Sequence, residues 1–252
     1  MASETVTGIV LSSQNIGETD RRIVLLTRER GKISAFARGA VKPKNPLVTA
    51  SQPFTFGEFF LYAGRDSYTV TGAEVKNHFP GIMRELGTYY YASYLSEVAD
   101  YYTRENLYAG DVILLLYQSF KALEKKTIRA ELIRYIFEWR MLLLNGEVPD
   151  VFGCMDCGKR SQDGVKLQYF VPEKHGMICK ECAERLGSFS KQKPLLNGTV
   201  YTLQFIIATP LERLYTFTVN DEVLAELKKL TDDYLGMHRK YHFNSLDFLN
   251  YV

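Results

Sequence analysis

The chain has 252 residues, of which 46% are hydrophobic and 24% charged, with a formal net charge of +2. That composition is ordinary for a globular protein and excludes a disordered or fibrous chain, and the length accommodates two domains with a small insert. So small a net charge does not by itself point to a nucleic-acid partner, and no internal repeat or low-complexity tract is present. Glu4, Glu18, Asp20, Arg21, Arg22, Arg28, Glu29 and Arg30 leave no uninterrupted signal-peptide core in the first 30 residues. The densest apolar stretches, such as 112–117, are too short to span a membrane. A cytoplasmic protein is expected.

Residues 1 to about 78 read as short strands between closely spaced turn signals, with candidates at 6–12, 21–27, 32–38, 54–63 and 68–75. Five strands in so short a span suit an OB-fold barrel. In the third candidate, strand alternation puts Ile33, Ala35 and Ala37 on one face, small and apolar enough for a barrel interior. The other face carries Lys32, Ser34, Phe36 and Arg38, a ring between cations. Single-stranded nucleic acid is held in this way, bases stacking on rings while phosphates meet Lys or Arg. From Arg21 to Lys44 there are eight basic residues against one acid, Glu29. Arg21, Lys32, Phe36, Arg38, Lys42 and Lys44 are therefore the candidate nucleic-acid contacts, the last two in a loop stiffened by Pro43. The competing reading is a merely solvated strand face, with Phe36 packed against a helical domain.

From Pro80 the periodicity changes. Ile82, Leu86, Tyr90, Leu95, Val98 and Tyr102 approximate a 3.6-residue spacing, followed by Ile113, Leu116, Phe120 and Leu123, and then by Leu132, Ile136, Trp139 and Leu143. Three helices are predicted. Thr127 is the expected N-cap of the third, and Gly146 with Pro149 ends it. Two more helical stretches, about 199–208 and 221–241, follow a cysteine-bearing segment, and helices on both sides of that segment are expected to share a core. Tyr89, Tyr90, Tyr91, Tyr94, Tyr101 and Tyr102 point in different directions around a helix, so they are expected to pack rather than to form one stacking platform. Lys125, Lys126, Arg129, Arg134 and Arg140 lie beside apolar stripes. They fit either a solvated face with pairs such as Arg134 and Glu138, or a groove with an apolar floor and a basic rim. Such a groove would take an acidic peptide ending in a hydrophobic residue, with Lys126, Arg129 and Arg134 as candidate contacts.

All four cysteines fall into two C-x-x-C pairs, Cys154 with Cys157 and Cys179 with Cys182. Zinc accepts four thiolates at about 2.3 Å, and two intervening residues let one tight turn aim both sulfurs at the same ion. Gly158 follows the first pair, where a positive φ is useful. Disulfides would need an oxidising compartment, and a redox C-x-x-C stands alone rather than sharing a short polar segment with a second pair. A catalytic zinc needs an open position, which four thiolates close. A structural Zn2+ is expected. The segment Gly153 to Lys159 has phosphate-loop spacing, but Arg160 stands where Ser or Thr should bind magnesium. Cys182-Ala183-Glu184 has a deaminase-like order, yet no downstream cysteine pair follows.

No catalytic constellation emerges. His78, His175, His238 and His242 share no pattern; the last two have i, i+4 spacing without the Glu of a metalloprotease helix. There is no nucleophile elbow and no dinucleotide-binding glycine fingerprint, which favours a binding protein over an enzyme.

The opening Gly8-Ile9-Val10-Leu11, Gly17-Glu18-Thr19-Asp20-Arg21, the run Leu26 to Ile33 and Ala37-Arg38-Gly39-Ala40 resemble the start of the bacterial DNA repair protein family RecO. The similarity continues through Gln52-Pro53-Phe54, the two cysteine pairs with Gly158, and the ending Ser245-Leu246-Asp247-Phe248-Leu249. Asn45 departs from the Ser expected at its position. The resemblance implies an α+β chain: a five-stranded OB-fold β-barrel over 1–79, then an α-helical domain over 80–252 with a four-cysteine zinc-finger insert at about 150–190. It also implies a non-enzymatic recombination mediator located with the nucleoid. Such a protein would bind single- and double-stranded DNA, anneal complementary strands and act with RecR to load RecA on strands coated by SSB. The acidic, hydrophobic-ended SSB tail would fit the groove described above. Without the resemblance, an RNA-binding OB protein and a protein-only scaffold remain the alternatives.

Overall fold

The computed structural model describes residues 3–65, 67–187, 193–238 and 241–249. By compactness the chain divides into two units, Met1–Ala130 with Phe243–Val252, and Glu131–His242.

In the first unit β1 (Ser3–Ile16), β2 (Asp20–Thr27), β3 (Gly31–Ala37), β4 (Phe56–Ala63) and β5 (Tyr68–Asn77) close a barrel in the order β1-β2-β3-β5-β4. Antiparallel pairing of β1 with β4 completes the closure, and β3 runs parallel to β5. This is the five-stranded architecture expected of an OB fold. β1 is longer than its apolar pattern because it serves two neighbours: Ser3 to Ile9 pair with β4, and Gly8 to Ile16 pair with β2. Backbone partners, rather than side-chain alternation, set its ends. β4 begins at Phe56 rather than 54, because Phe54 adopts φ 71° and turns into an aromatic cluster with Tyr89 and Phe120. The barrel interior holds Val10, Leu25, Ile33, Ala35, Phe59 and Leu61, and α1 (Leu47–Ala50) adds Leu47 and Ala50 to it.

The first helical run of the sequence is divided into α2 (Pro80–Met83) and α3 (Leu86–Tyr102), and α4 (Gly110–Lys125) follows. The segment after α3 adds itself to the β2–β3 hairpin. Lys32 N–H donates to the Arg104 carbonyl, and the N–H groups of Asn106 and Ala109 donate to the carbonyls of Arg30 and Arg28. Gly31 makes this approach possible: its φ is +64°, and a Cβ there would lie 2.1 Å from the Arg104 oxygen.

In the second unit α5 (Ala130–Leu144) starts three residues after Thr127, the expected cap. α4 ends on Lys126 in the left-handed conformation, φ 53°, which leaves Thr127 in the connecting turn. Gly146 closes α5 as expected, its N–H donating to the Leu143 carbonyl. The insert is a three-stranded sheet of β6 (Asp150–Cys154), β7 (Leu167–Val171) and β8 (Gly176–Cys179), ordered β6-β8-β7 and followed by α6 (Lys180–Leu186). Residues 188–190 of its expected span lie outside the described residues.

Beyond the insert, α7 (Asn197–Ala208) and α8 (Asp221–His238) return to α5. Trp139 of α5 donates to Thr231 Oγ1 at 2.8 Å and stacks on Tyr234, both on α8. Arg140 donates to the carbonyls of Ile206, Ile207 and Thr209 at the end of α7. α5, before the insert, therefore shares a core with α7 and α8 after it, whereas α3 and α4 belong to the first unit. α8 ends at His238, and residues 239–240 of the stretch expected to reach Tyr241 lie outside the described residues. α9 (Asn244–Leu249) belongs to the first unit, where Glu97 accepts N–H groups from Asn244 and Ser245. Phe248 stacks on Tyr90, and buried Tyr94 packs against Phe243, so these tyrosines do serve packing. No helix among the described residues is long and apolar enough to cross a membrane.

Candidate functional site

Strand β3 alternates as its sequence predicts. Ile33, Ala35 and Ala37 are buried in the barrel, while Lys32, Ser34 and Phe36 are half-buried on the outer face. Arg38 lies just past the strand end, and Lys42 and Lys44 follow in the loop, all three exposed. Among the described residues none of these three cations forms an ion pair.

That loop is held from several sides. Asp20 Oδ1 accepts the Gly39 N–H at 2.8 Å and the Thr19 hydroxyl at 2.9 Å. The Gly39 N–H, then Thr19, hold the Asp20 carboxyl below the usual carboxylate range, so it stays ionised beside the loop's cations. Asn45, standing where Ser was expected, donates to the Arg38 carbonyl and accepts the Leu47 N–H, clasping the loop at both ends. Turn bonds from Lys42 N–H to Gly39 and from Asn45 N–H to Lys42 complete it. The cations thus stand on a preorganised frame. Sequence reasoning missed Asp20 and Asn45 as its supports, because the Asp20 contact bridges 19 positions.

The other predicted contacts are engaged within the fold. Arg21 donates to Asn15 Oδ1, the Val48 carbonyl and Ser51 Oγ, bracing α1 on the barrel. Lys32 Nζ donates to the Asp100 carbonyl at 2.7 Å and lies 3.3 Å from the Asp100 carboxylate, clamping the hairpin to α3. Lys32→Ala is therefore expected to cost about 1 kcal/mol in urea unfolding, with at most a small loss of nucleic-acid affinity. A large affinity loss at unchanged stability would return Lys32 to the interface.

The four cysteines converge as their spacing predicts. Cys154 ends β6, Cys157 follows in the turn, Cys179 ends β8 and Cys182 sits in the first turn of α6. Their sulfurs all lie within 4.8 Å of one another, and four thiolates around one tetrahedral zinc would stand about 3.8 Å apart. Gly158, at φ +72°, donates its N–H to the Cys154 carbonyl and closes the first knuckle turn. Burial would raise the Cys154 thiol, but the backbone N–H groups of Cys157, Cys179 and Asp156 outweigh it and bring it to about 7. Burial pushes Cys179 up to about 11, and burial together with Asp156 drives Cys182 upward as well. A bound cation reverses that logic by stabilising the thiolates. Arg185 pairs with Asp156 and approaches Cys182 Sγ at 3.7 Å, tying α6 to the first knuckle. The donor set and its geometry fit a closed, structural metal centre.

Comparison with known proteins covers both parts of the chain. The N-terminal model of recombination protein O matches residues 1–79, and its C-terminal model matches residues 83–247. The chain belongs to the RecO family. It is 33% identical over 246 residues to the DNA repair protein RecO of Bacillus subtilis, covering 96% of this chain and 92% of that one. It is 32% identical over 242 residues to RecO of Acetivibrio thermocellus, covering 96% and 94%. RecO of Alkaliphilus metalliredigens is 31% identical over 241 residues, with 95% and 96% covered.

The N-terminal RecO model spans the whole barrel, and the C-terminal one takes in α3 to α8 with both cysteine pairs. Of the three cations considered for an acidic peptide in this RecO chain, Lys126 is exposed and pairs with Glu85, and Arg129 is exposed. Arg134 is 9% exposed and bonds Glu138 at 3.1 Å and Asp232 at 3.0 Å. Its charge is held inside the second unit. The i, i+4 pair with Glu138 exists as the sequence suggested, but it is buried rather than solvated.

Proposed function

We propose that this chain is a non-enzymatic recombination mediator that binds single- and double-stranded DNA and anneals complementary strands through the cationic loop of its barrel. The observation that carries this reading is the trio Arg38, Lys42 and Lys44, exposed and without ion-pair partners among the described residues, on a loop braced by Asp20 and Asn45. Annealing needs cations that screen two phosphate backbones while leaving base edges open, and such binding weakens steeply with salt. Membership of the RecO family supports the biological setting. In that setting the chain acts with RecR, places RecA on SSB-coated single strands and works in the cytoplasm at the nucleoid. Lys126 and Arg129 are the exposed cations that would meet an acidic SSB tail, whereas Arg134 serves as a structural group.

The four cysteines hold a structural Zn2+ in this reading. The ion supplies a cross-link between the two knuckles and no open coordination site. The deciding experiment measures annealing of complementary strands, bare and SSB-coated, together with binding to single-stranded DNA, duplex and RNA over a salt series. Salt-sensitive DNA binding with accelerated annealing is expected. Absence of measurable DNA affinity at low salt overturns the proposal, and a clear preference for RNA moves it to the RNA-binding alternative.

A further inference from the structure

Two large aromatic residues on the outer wall of the barrel have no role in its core. Phe60 and Tyr62 of β4 are 42% and 40% exposed, whereas Phe59 and Leu61 between and beside them are fully buried. Strand alternation places both rings on the outer face, about 7 Å apart along the strand.

The pairing register connects them to the basic loop. Phe36 of β3 pairs with Thr69 of β5, and Thr69 pairs with Tyr62 of β4. Directly paired residues share a face, so Phe36, Thr69 and Tyr62 form one outward row across three strands, with the two rings about 10 Å apart. Phe60 extends the row along β4, its ring lying over Gly72. The positions bordering the two β4 rings are small or hydroxylated: Ser3 and Thr5 on β1 pair with Tyr62 and Phe60. Phe36 itself stands two residues before Arg38, where the cationic loop begins. Beyond Phe60, Glu58 and Glu74 face each other across β4 and β5, and Lys76 pairs with Glu58.

We propose that Phe36, Tyr62 and Phe60 form an aromatic track around the barrel wall, continuous with the Arg38–Lys44 loop, on which unpaired bases of a DNA single strand stack. The proposal rests on the DNA-binding reading above and adds what the cations cannot supply, a preference for unpaired over paired bases. Phosphates dock on the loop, and the following nucleotides lay their bases over the rings. Duplex, whose bases are already stacked on one another, engages the loop alone. Hydroxylated and small neighbours let bases lie flat against the rings without a steric rim.

The test compares the wild-type protein with the double variant Phe60→Ala/Tyr62→Ala by fluorescence anisotropy, on labelled oligo-dT of about 20 nucleotides, an abasic strand of equal length and a duplex. Stacking on one aromatic ring is worth roughly five- to a hundredfold in affinity per base, so a loss of about tenfold or more is expected on oligo-dT. Affinity for the abasic strand and the duplex, and the salt slope on oligo-dT, should stay within about twofold of wild type. Phe60→Leu/Tyr62→Leu, which retains apolar bulk without a π-face, should reproduce the loss. Phe60→Trp/Tyr62→Trp should retain wild-type affinity. An oligo-dT affinity unchanged in both the Ala and Leu variants overturns the track, as does an equal loss on abasic strand, which would mean that the wall contacts only backbone. Failure of the underlying reading looks different: the wild-type protein itself would then show no salt-dependent affinity for any of the three probes.

Discussion

Stripping the metal with a chelator, or replacing Cys154 or Cys182 by Ser, is expected to unfold the insert while leaving the barrel folded. Besides the metal, the insert is held by Phe170 packing against Trp139 and Tyr234 and by the Gln204 bond to the Val151 carbonyl. Its strands are five, five and four residues long, too short to be stable without a cross-link or extensive packing. Structural zinc contributes an apparent binding free energy of about 10–16 kcal/mol at neutral pH, and in small metal-bound modules that energy is folding energy. Without the cation, Cys179 and Cys182 are protonated thiols pressed together, since burial holds both above the ordinary thiol range. Acid should release the metal for the same reason, because protons compete for ligands that bind only as thiolates. Hydrogen exchange and limited proteolysis should report the change between residues 150 and 187, with protection of β1–β5 retained. DNA affinity should fall by no more than about threefold. Unchanged protection in the insert after complete metal removal would show that the cysteines are not its cross-link, and global unfolding would show that the two units are not independent.

The second large effect concerns the loop. In the variant Arg38→Ala/Lys42→Ala/Lys44→Ala, affinity for both single-stranded DNA and duplex should fall by about two orders of magnitude in moderate salt. The slope of log affinity against log salt should shrink by about 2 to 3, since each phosphate contact contributes roughly 0.7 on single strands and 0.9 on duplex. Annealing should fail with it. These side chains are exposed and unpaired among the described residues, so thermal stability should change little. An unchanged salt slope would place the DNA interface elsewhere. Arg21→Ala is a useful contrast, because its bonds to Val48 and Ser51 brace α1, and its loss should act through stability.

Much of the fold is legible in the amino-acid sequence. The alternation of β3, the count of five strands and the change to helical spacing at Pro80 are local patterns, imposed by which face of each element meets water. Two of the misplaced boundaries come from contacts with distant residues, and the third from a local helix end. β1 extends because two neighbours pair with it, β4 starts late because Phe54 turns into the rings of Tyr89 and Phe120, and Thr127 loses its expected role to the way α4 terminates.

The cysteine spacing by itself determined a four-sulfur centre, since a two-residue gap dictates a knuckle turn and the absence of other cysteines leaves each pair only the other as its complement. The sequence likewise located an excess of cations between Arg21 and Lys44. Only the tertiary structure decided which of those charges face solvent. Lys32 and Arg134 look like surface cations in the sequence, yet Asp100 takes the first and Glu138 with Asp232 the second. Arg38, Lys42 and Lys44 remain outward while Asp20 fastens their loop to the barrel and Asn45 clasps it. Charge is a property of a residue, but its availability depends on partners that folding brings from tens of positions away, and no local pattern encodes them.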